Sequence, residues 1–258
     1  MSAKNHEAQR TARQRLAAER EKQKAAERRR RTLIVGVTVV CVLALATVIG
    51  LIAANAGKKG TTSSGPVVAP SGAQGKDSLA IPVGEDGAGS TLTVWEDFRC
   101  PACQGFERVY RPVIHDLTAA GKLRVEYHLV RLIDHNVGGT GSLRAANAAA
   151  CAQDAGKFPA YHDVLFDDQP KETEDAFASN DKLIQLAAKV PGLDTPAFRS
   201  CVNDGTHDAW VDRSHQAFQD GRFSGTPTVL LGGKNIAQDA SLTPEKFRQM
   251  VEKEAAGR

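Results

Sequence analysis

Residues 93–106 read TVWEDFRCPACQGF. An alternating, β-branched run leads into Cys100-Pro101-Ala102-Cys103, and the pattern after it is helical. A Cys-x-x-Cys where a strand ends and a helix begins sets its first sulfur beside unpaired helix N–H groups. Those groups and the helix dipole stabilise a thiolate. Pro101 suits the first turn because its missing N–H is not needed for an intrahelical bond. Cys103, three residues on, sits on the same helical edge and closes a ring with little backbone movement. Cys100 is therefore expected to be the exposed, attacking sulfur and Cys103 the resolving one. Dithiol chemistry of this kind calls for no cofactor.

Outward from the motif, residues 90–95 (STLTVW) read as a strand bounded by the Gly-rich turn EDGAG, and 79–83 as a weaker strand. The helix that starts at Cys100 continues to about residue 120 and stops at Gly121, and 122–130 (KLRVEYHLV) reads as a third strand. A β-α-β unit of this length implies parallel pairing through a crossover helix. From 141 to 219 the pattern is helical, with breaks at Pro159, Pro170, Pro191-Gly192 and 203–205. Residues 228–231 form a hairpin with 234–237 across Gly232-Gly233. The last helix covers 243–255, with Thr243 as N-cap and Pro244 at its first position.

Charge and hydropathy divide the 258-residue chain unevenly. Residues 1–32 hold 11 of the 33 Lys and Arg and 4 of the 30 Asp and Glu, a net +7, which leaves the remainder at −4. A basic tail on a slightly acidic body does not fit a nucleic-acid-binding domain, which carries its positive charge on the folded surface. Residues 33–54 contain no charge, and 22 residues of helix cover about 33 Å, enough to cross a bilayer. Basic residues crowd the N-terminal side, so the expected topology is a cytoplasmic tail (1–32), a single transmembrane helix (33–54) and an extracytoplasmic remainder at the cell membrane. A cleaved signal peptide is the competing reading, but the apolar run and the charged stretch before it are both long for one. Cys41 lies within the span as a small apolar residue. Residues 55–77, rich in Gly, Ser, Thr and Pro, read as a flexible linker, and 78–258 as the folded domain.

Two other readings of the Cys-x-x-Cys stand against catalysis. A zinc site needs a second ligand pair, and Cys151 and Cys201 stand alone, 50 residues apart, so no metal is expected. A purely structural disulfide across so tight a loop constrains few residues. Near the other end, Gly225-Thr226-Pro227-Thr228 enters a strand, and by itself it reads as an ordinary trans-proline turn.

The segment 93–106 and the Gly-Thr-Pro-Thr element 125 residues downstream of Cys100 resemble the DsbA-like branch of the thioredoxin superfamily. Residues 145–166 (AANAAACAQDAGKFPAYHDVLF) and 198–205 (FRSCVNDG) resemble that branch's helical insertion, and the arrangement is most similar to membrane-anchored DsbA-like proteins of actinobacteria. The resemblance implies an α/β thioredoxin-like fold with an inserted helical domain at about 138–220. It implies Cys100 as nucleophile, Cys103 as its partner, a cis bond between Thr226 and Pro227, and a Thr226 backbone that binds an extended substrate. It further implies a structural disulfide between Cys151 and Cys201, which match positions paired in some relatives. Two departures stand out. Many members carry an acid six residues before the first Cys, where this chain has Val94, leaving Glu96 and Asp97 as candidates for a proton relay, or Asp97 as a group that orients the turn. Strongly oxidising members have Pro-His between the cysteines, where this chain has Pro-Ala, so the redox poise stays open. His128 and His135 are assigned no role.

The function expected from the resemblance is a disulfide donor to secreted or cell-envelope proteins, reoxidised by a quinone-linked membrane oxidase of the DsbB or VKOR-like kind. A membrane-anchored reductase or isomerase, for instance in cytochrome c maturation, and a non-catalytic docking module are the alternatives.

Overall fold

The structure, a computed structural model, describes residues 65–237 and 239–257. The basic tail, the apolar run 33–54 and residues 55–64 lie outside the described residues. Among the described residues no helix is long and apolar enough to cross a membrane.

Among the described residues, five strands and eight α-helices follow in the order β1 (Ile81–Val83), β2 (Ser90–Glu96), α1 (Pro101–Ala119), β3 (Leu123–Leu129), α2 (Leu132–Val137), α3 (Gly141–Asp154), α4 (Phe158–Asp167), α5 (Asn180–Ala187), α6 (Pro196–Asp204), α7 (Asp208–Asp220), β4 (Thr228–Leu231), β5 (Lys234–Asn235) and α8 (Pro244–Ala256). The sheet order is β1-β3-β2-β4-β5. β2 and β3 run parallel, with Val94 opposite Tyr127, as a crossover helix requires. β4 lies antiparallel on the other side of β2, with Thr228 opposite Trp95. The first residues of β4 are thereby brought beside the end of β2, from which α1 departs.

Alternation along β2 decides which groups enter which face. Leu92, Val94 and Glu96 share one face, and Trp95 points to the other. On the Trp95 face, His128 is its neighbour in register and stacks on it at 3.9 Å between centroids, with Phe218 of α7 beside them. On the Glu96 face lie α1 and α4, and α8 packs on α1 through Phe247 and Tyr110. Thr243 caps α8 by accepting from the Lys246 N–H, and Pro244 takes the first helical position.

The helical insertion is built around α3, whose Ala145–Ala152 stretch is buried and touches α4, α5, α6 and α7. Small side chains on every face let four helices approach one another there. A disulfide joins Cys151 of α3 to Cys201 of α6. The helix α2 is absent from the sequence reading, because six residues are too few for a periodic pattern to register.

The flexible linker expected over 55–77 ends earlier than composition indicates. His207 Nδ1 lies 2.8 Å from the Val68 carbonyl, the Ser71 N–H donates to Asp154 at 2.7 Å, and Gln153 donates to the Ser71 carbonyl at 2.9 Å. Gln74 then bridges to Ala80, and the Trp210 indole donates to the Ser78 carbonyl at 2.8 Å. A polar, Gly-rich segment becomes ordered where its backbone groups find fixed partners far away in sequence, and no local pattern reveals such partners.

Candidate active site

Cys100 is the N-cap residue of α1, in extended backbone, and Pro101 begins the helix. Three groups hold the turn before it. Asp97 is fully buried, and its two carboxylate oxygens accept the N–H groups of Arg99 and Ile133, each at 2.8 Å. The Cys100 N–H donates to the Asp97 carbonyl at 2.9 Å. Gln169 donates to the carbonyls of Phe98 at 2.8 Å and Cys100 at 3.0 Å. The geometry gives Asp97 the turn-orienting part, and burial raises its pKa to about 7.

The Thr226–Pro227 peptide bond is cis, and the Thr226 carbonyl accepts from the Cys100 thiol at 3.3 Å. Cys100, expected to be exposed, is only 6% exposed, since the Thr226 loop lies across it. Cys103 is wholly buried, and neither cysteine is in a disulfide. The two sulfurs differ sharply as acids. Cys100 is lowered to about 6, chiefly by a hydrogen bond from Cys103 and then by Thr226 and the N–H groups of Cys103 and Ala102, against the opposing effect of burial. The Thr226 hydroxyl has no other partner and is placed to donate once the sulfur is an anion. Cys103 is pushed well above the ordinary thiol range by burial, by Cys100 and by the nearby Glu96 charge. One thiolate at neutral pH with a protonated neighbour is the arrangement that attacks disulfides and then resolves them. Alkylation of the reduced protein by iodoacetamide is expected to titrate with a midpoint of about 6, falling tenfold per pH unit below it. Cys103→Ala should move the midpoint up, because the largest stabilising group is lost. A wild-type midpoint near the ordinary value of 9.0 would contradict this account of the site.

Behind Cys103 lies a charged cluster of which the sequence reading named Glu96 and missed Glu107 and His162. Glu96, Glu107 and His162 are each at most 2% exposed, and His162 Nε2 is 2.7 Å from Glu96 Oε1. Burial lowers the pKa of His162, but Glu96 and Glu107 more than reverse it, bringing it to about 10, so the ring is an imidazolium. Glu107 is raised to about 7 by its burial. A second buried charge, Arg99, precedes Cys100 and binds Asp134 at 2.7 Å and Asp175 at 2.9 Å.

Among the described residues, two sets bring three ligand-type atoms within 4.8 Å of one another. In Cys151, Cys201 and His207 the sulfurs are joined to each other, and the imidazole faces Val68 and Asp154. In Glu96, Glu107 and His162 the imidazolium already supplies the positive charge that two buried carboxylates need. His128 stacks on Trp95, and His135 stacks on His215 at 4.5 Å.

Comparison with known proteins places this geometry in context. The family model described as Thioredoxin matches residues 77–253. Disulfide bond formation protein D of Bacillus subtilis is 26% identical over 179 residues, spanning 68% of this chain and 77% of that protein. Among solved structures, oxidised DsbA of Mycobacterium tuberculosis superposes with a TM-score of 0.59 at 26% identity, over 68% of this chain and 92% of that one. The reduced disulfide bond oxidoreductase DsbG of the same organism gives 0.60 at 28% identity, over 72% and 90%.

Proposed function

The chain belongs to the Thioredoxin family of that model and is a DsbA-like thiol–disulfide oxidoreductase, and from this premise we propose that it donates disulfides to secreted or cell-envelope proteins. A substrate thiolate attacks Cys100 of the Cys100–Cys103 disulfide, Cys103 leaves, and a second substrate thiol displaces Cys100 to complete the new disulfide. The Thr226 backbone beside the nucleophile aligns the incoming segment as an added strand. The apolar run 33–54 and its basic flank hold the domain on the outer face of the membrane, where disulfides persist, and a quinone-linked oxidase of the DsbB or VKOR-like kind restores the disulfide.

The observation that carries donation is the Cys100 thiol at about 6. A stabilised thiolate favours the reduced protein and so makes its disulfide the stronger oxidant. The missing histidine of Pro-Ala is offset by donors from Cys103, Thr226 and the helix start. The second reading, a reductase, rests on that same Pro-Ala dipeptide.

The test uses the full chain with Cys103→Ser, its Cys100 first charged as a mixed disulfide with thionitrobenzoate, and a reduced, unfolded secreted protein with a single cysteine, whose thiolate attacks Cys100 and displaces thionitrobenzoate. Mixed disulfides are expected to accumulate and to vanish when Cys100→Ala is added. No trapped species would remove the exchange reading. The reduction potential then fixes the direction: about −120 to −180 mV is the range of disulfide donors and isomerases, and a value near −270 mV that of a thioredoxin-like reductase.

A further inference from the structure

Resting on the exchange reading above, we infer that Phe223 is a positioning residue: its ring clamps residues 223–228 onto Trp95, so that the Thr226 backbone presents an extended substrate segment to Cys100. The need for a clamp comes from the connection itself. Residues 221–227 link α7 to β4, and within them the Thr226 carbonyl lies 3.3 Å from the Cys100 sulfur. A loop that offers its backbone to an incoming strand cannot spend the same groups on holding itself in place. Side chains have to fix it.

Trp95 holds the loop twice. Its backbone lies opposite Thr228 in the antiparallel pairing of β2 with β4, and its indole carries the Phe223 ring at 5.4 Å between centroids, tilted by 42°. Phe218 of α7 meets the same ring at 5.6 Å. Tilted pairs at such separations are a favoured aromatic geometry. Trp95 and Phe218 are buried, so Phe223 is the partly exposed outer member of a cluster whose inner rings are fixed. Between the two fastened points the Thr228 hydroxyl donates to the Gly225 carbonyl at 2.7 Å. Thr226 is thereby bracketed by held residues, and Trp95 stands five residues before Cys100 on the strand that leads to it. One residue of β2 ties the position of Cys100 to that of Thr226.

The chain before Phe223 is shaped to seat the ring. The N–H groups of Gly221 and Arg222 close the end of α7 on the carbonyls of Ala217 and Gln219, each at 2.9 Å. Arg222 then takes a left-handed backbone at φ 54°, uncommon for a residue other than glycine, and the chain reverses. The Phe223 ring folds back over Gly221, where a Cβ would stand 2.7 Å from ring carbon Cε2. The backbone of Gly221, at φ −69° and ψ −8°, would suit alanine, so what excludes a side chain there is the ring.

The test compares two reductants of one disulfide. The oxidised full chain is mixed with an unstructured peptide carrying two cysteines, or with dithiothreitol, then quenched in acid and alkylated so that reduction is read at Cys100 and Cys103. In both reactions the added dithiol closes to a disulfide and the Cys100–Cys103 bond opens, but only the peptide has a backbone to pair with Thr226. Phe223→Ala should slow reduction by the peptide about tenfold and that by dithiothreitol less than about threefold. Phe223→Tyr keeps the ring and should hold the peptide rate within about twofold of wild type. Gly221→Ala displaces the ring without removing it. It should slow the peptide reaction as Phe223→Ala does, and add nothing when the two are combined. Equal slowing of both reductants by Phe223→Ala, or of neither, overturns the inference, as does a Gly221→Ala loss that adds in full to that of Phe223→Ala. Should Phe223→Ala fail to fold, the ratio of the two rates in Gly221→Ala decides alone. A wild-type protein reduced by dithiothreitol and not by the peptide also overturns it, whereas one reduced by neither would remove the exchange reading itself.

Discussion

Replacing Arg99 by Ala should lower the unfolding free energy by about 3 to 5 kcal/mol, the cost of leaving a buried partner charge uncompensated. The Arg99 side chain is 2% exposed. Its Nη1 reaches Asp134 at 2.7 Å, Asp175 at 2.9 Å and the Gly138 carbonyl at 3.0 Å, and its Nη2 reaches the Glu172 carbonyl at 3.1 Å. Those carboxylates are already in use. Asp134 accepts the N–H groups of Ser142 and Leu143, and Asp175 those of Thr140 and Gly141, so the first turn of α3 is capped by two acids from outside the helix. Without the guanidinium, two acids crowd one helix end with half a unit of positive charge between them. Arg99→Lys should recover little, because an ammonium cannot span the same four acceptors. Denaturant unfolding of the oxidised protein checks this, and a loss below about 1 kcal/mol for Arg99→Ala would show that water compensates the acids. A double-mutant cycle with Asp134→Asn should show the two losses adding to less than their sum.

Arg99 also marks where sequence reading runs out. The strands, the crossover helix and the α8 cap were legible because each rests on a local signal: alternation in 90–96, Gly121 after a helical run, Thr243-Pro244 before another. Cys100 and Cys103 were legible because their spacing and place at a helix start are local too. The proximity of Thr226 to Cys100 crosses 126 residues, and it was accessible only through resemblance to a family. Of the buried charges, the resemblance singled out Glu96 and Asp97, and the partners His162, Glu107, Arg99 and Asp134 had no signal of either kind. Glu96 meets His162 across 66 residues, and Arg99 meets Asp134 across 35. In a sequence a Glu, His or Arg destined for the interior looks like any surface charge, and only the partner brought by the fold distinguishes it. One weak hint was present, in that Glu96 and Val94 alternate on one strand face, so a strand reading extended by one residue already turns that acid inward. The ordered segment 68–80 was hidden by the same cause, since its partners Asp154 and His207 are remote in sequence.

The Cys151–Cys201 disulfide should contribute about 4 kcal/mol, and Cys151→Ala/Cys201→Ala should lose that much. The bond closes a loop with a sequence separation of 50, and the loop contains α4 and α5. An unfolded chain with that loop tied has fewer conformations to lose on folding, and the saving grows with the logarithm of loop length. A Cys-x-x-Cys ring spans too few residues to matter in this way, so under the proposed function the two cysteine pairs divide the labour, one constraining the chain and the other cycling electrons. Their settings agree with that division. Cys151 is buried within α3, whereas Cys100 sits at a helix start with its sulfur against the Thr226 carbonyl. The measurement is denaturant unfolding of wild type and double variant with Cys100 and Cys103 held oxidised in both. Equal stabilities would mean that the packing around α3 holds the insertion unaided. A loss confined to the insertion, seen as early exposure of Trp210 before the sheet unfolds, would place the bond's effect there and leave the thioredoxin core standing on its own.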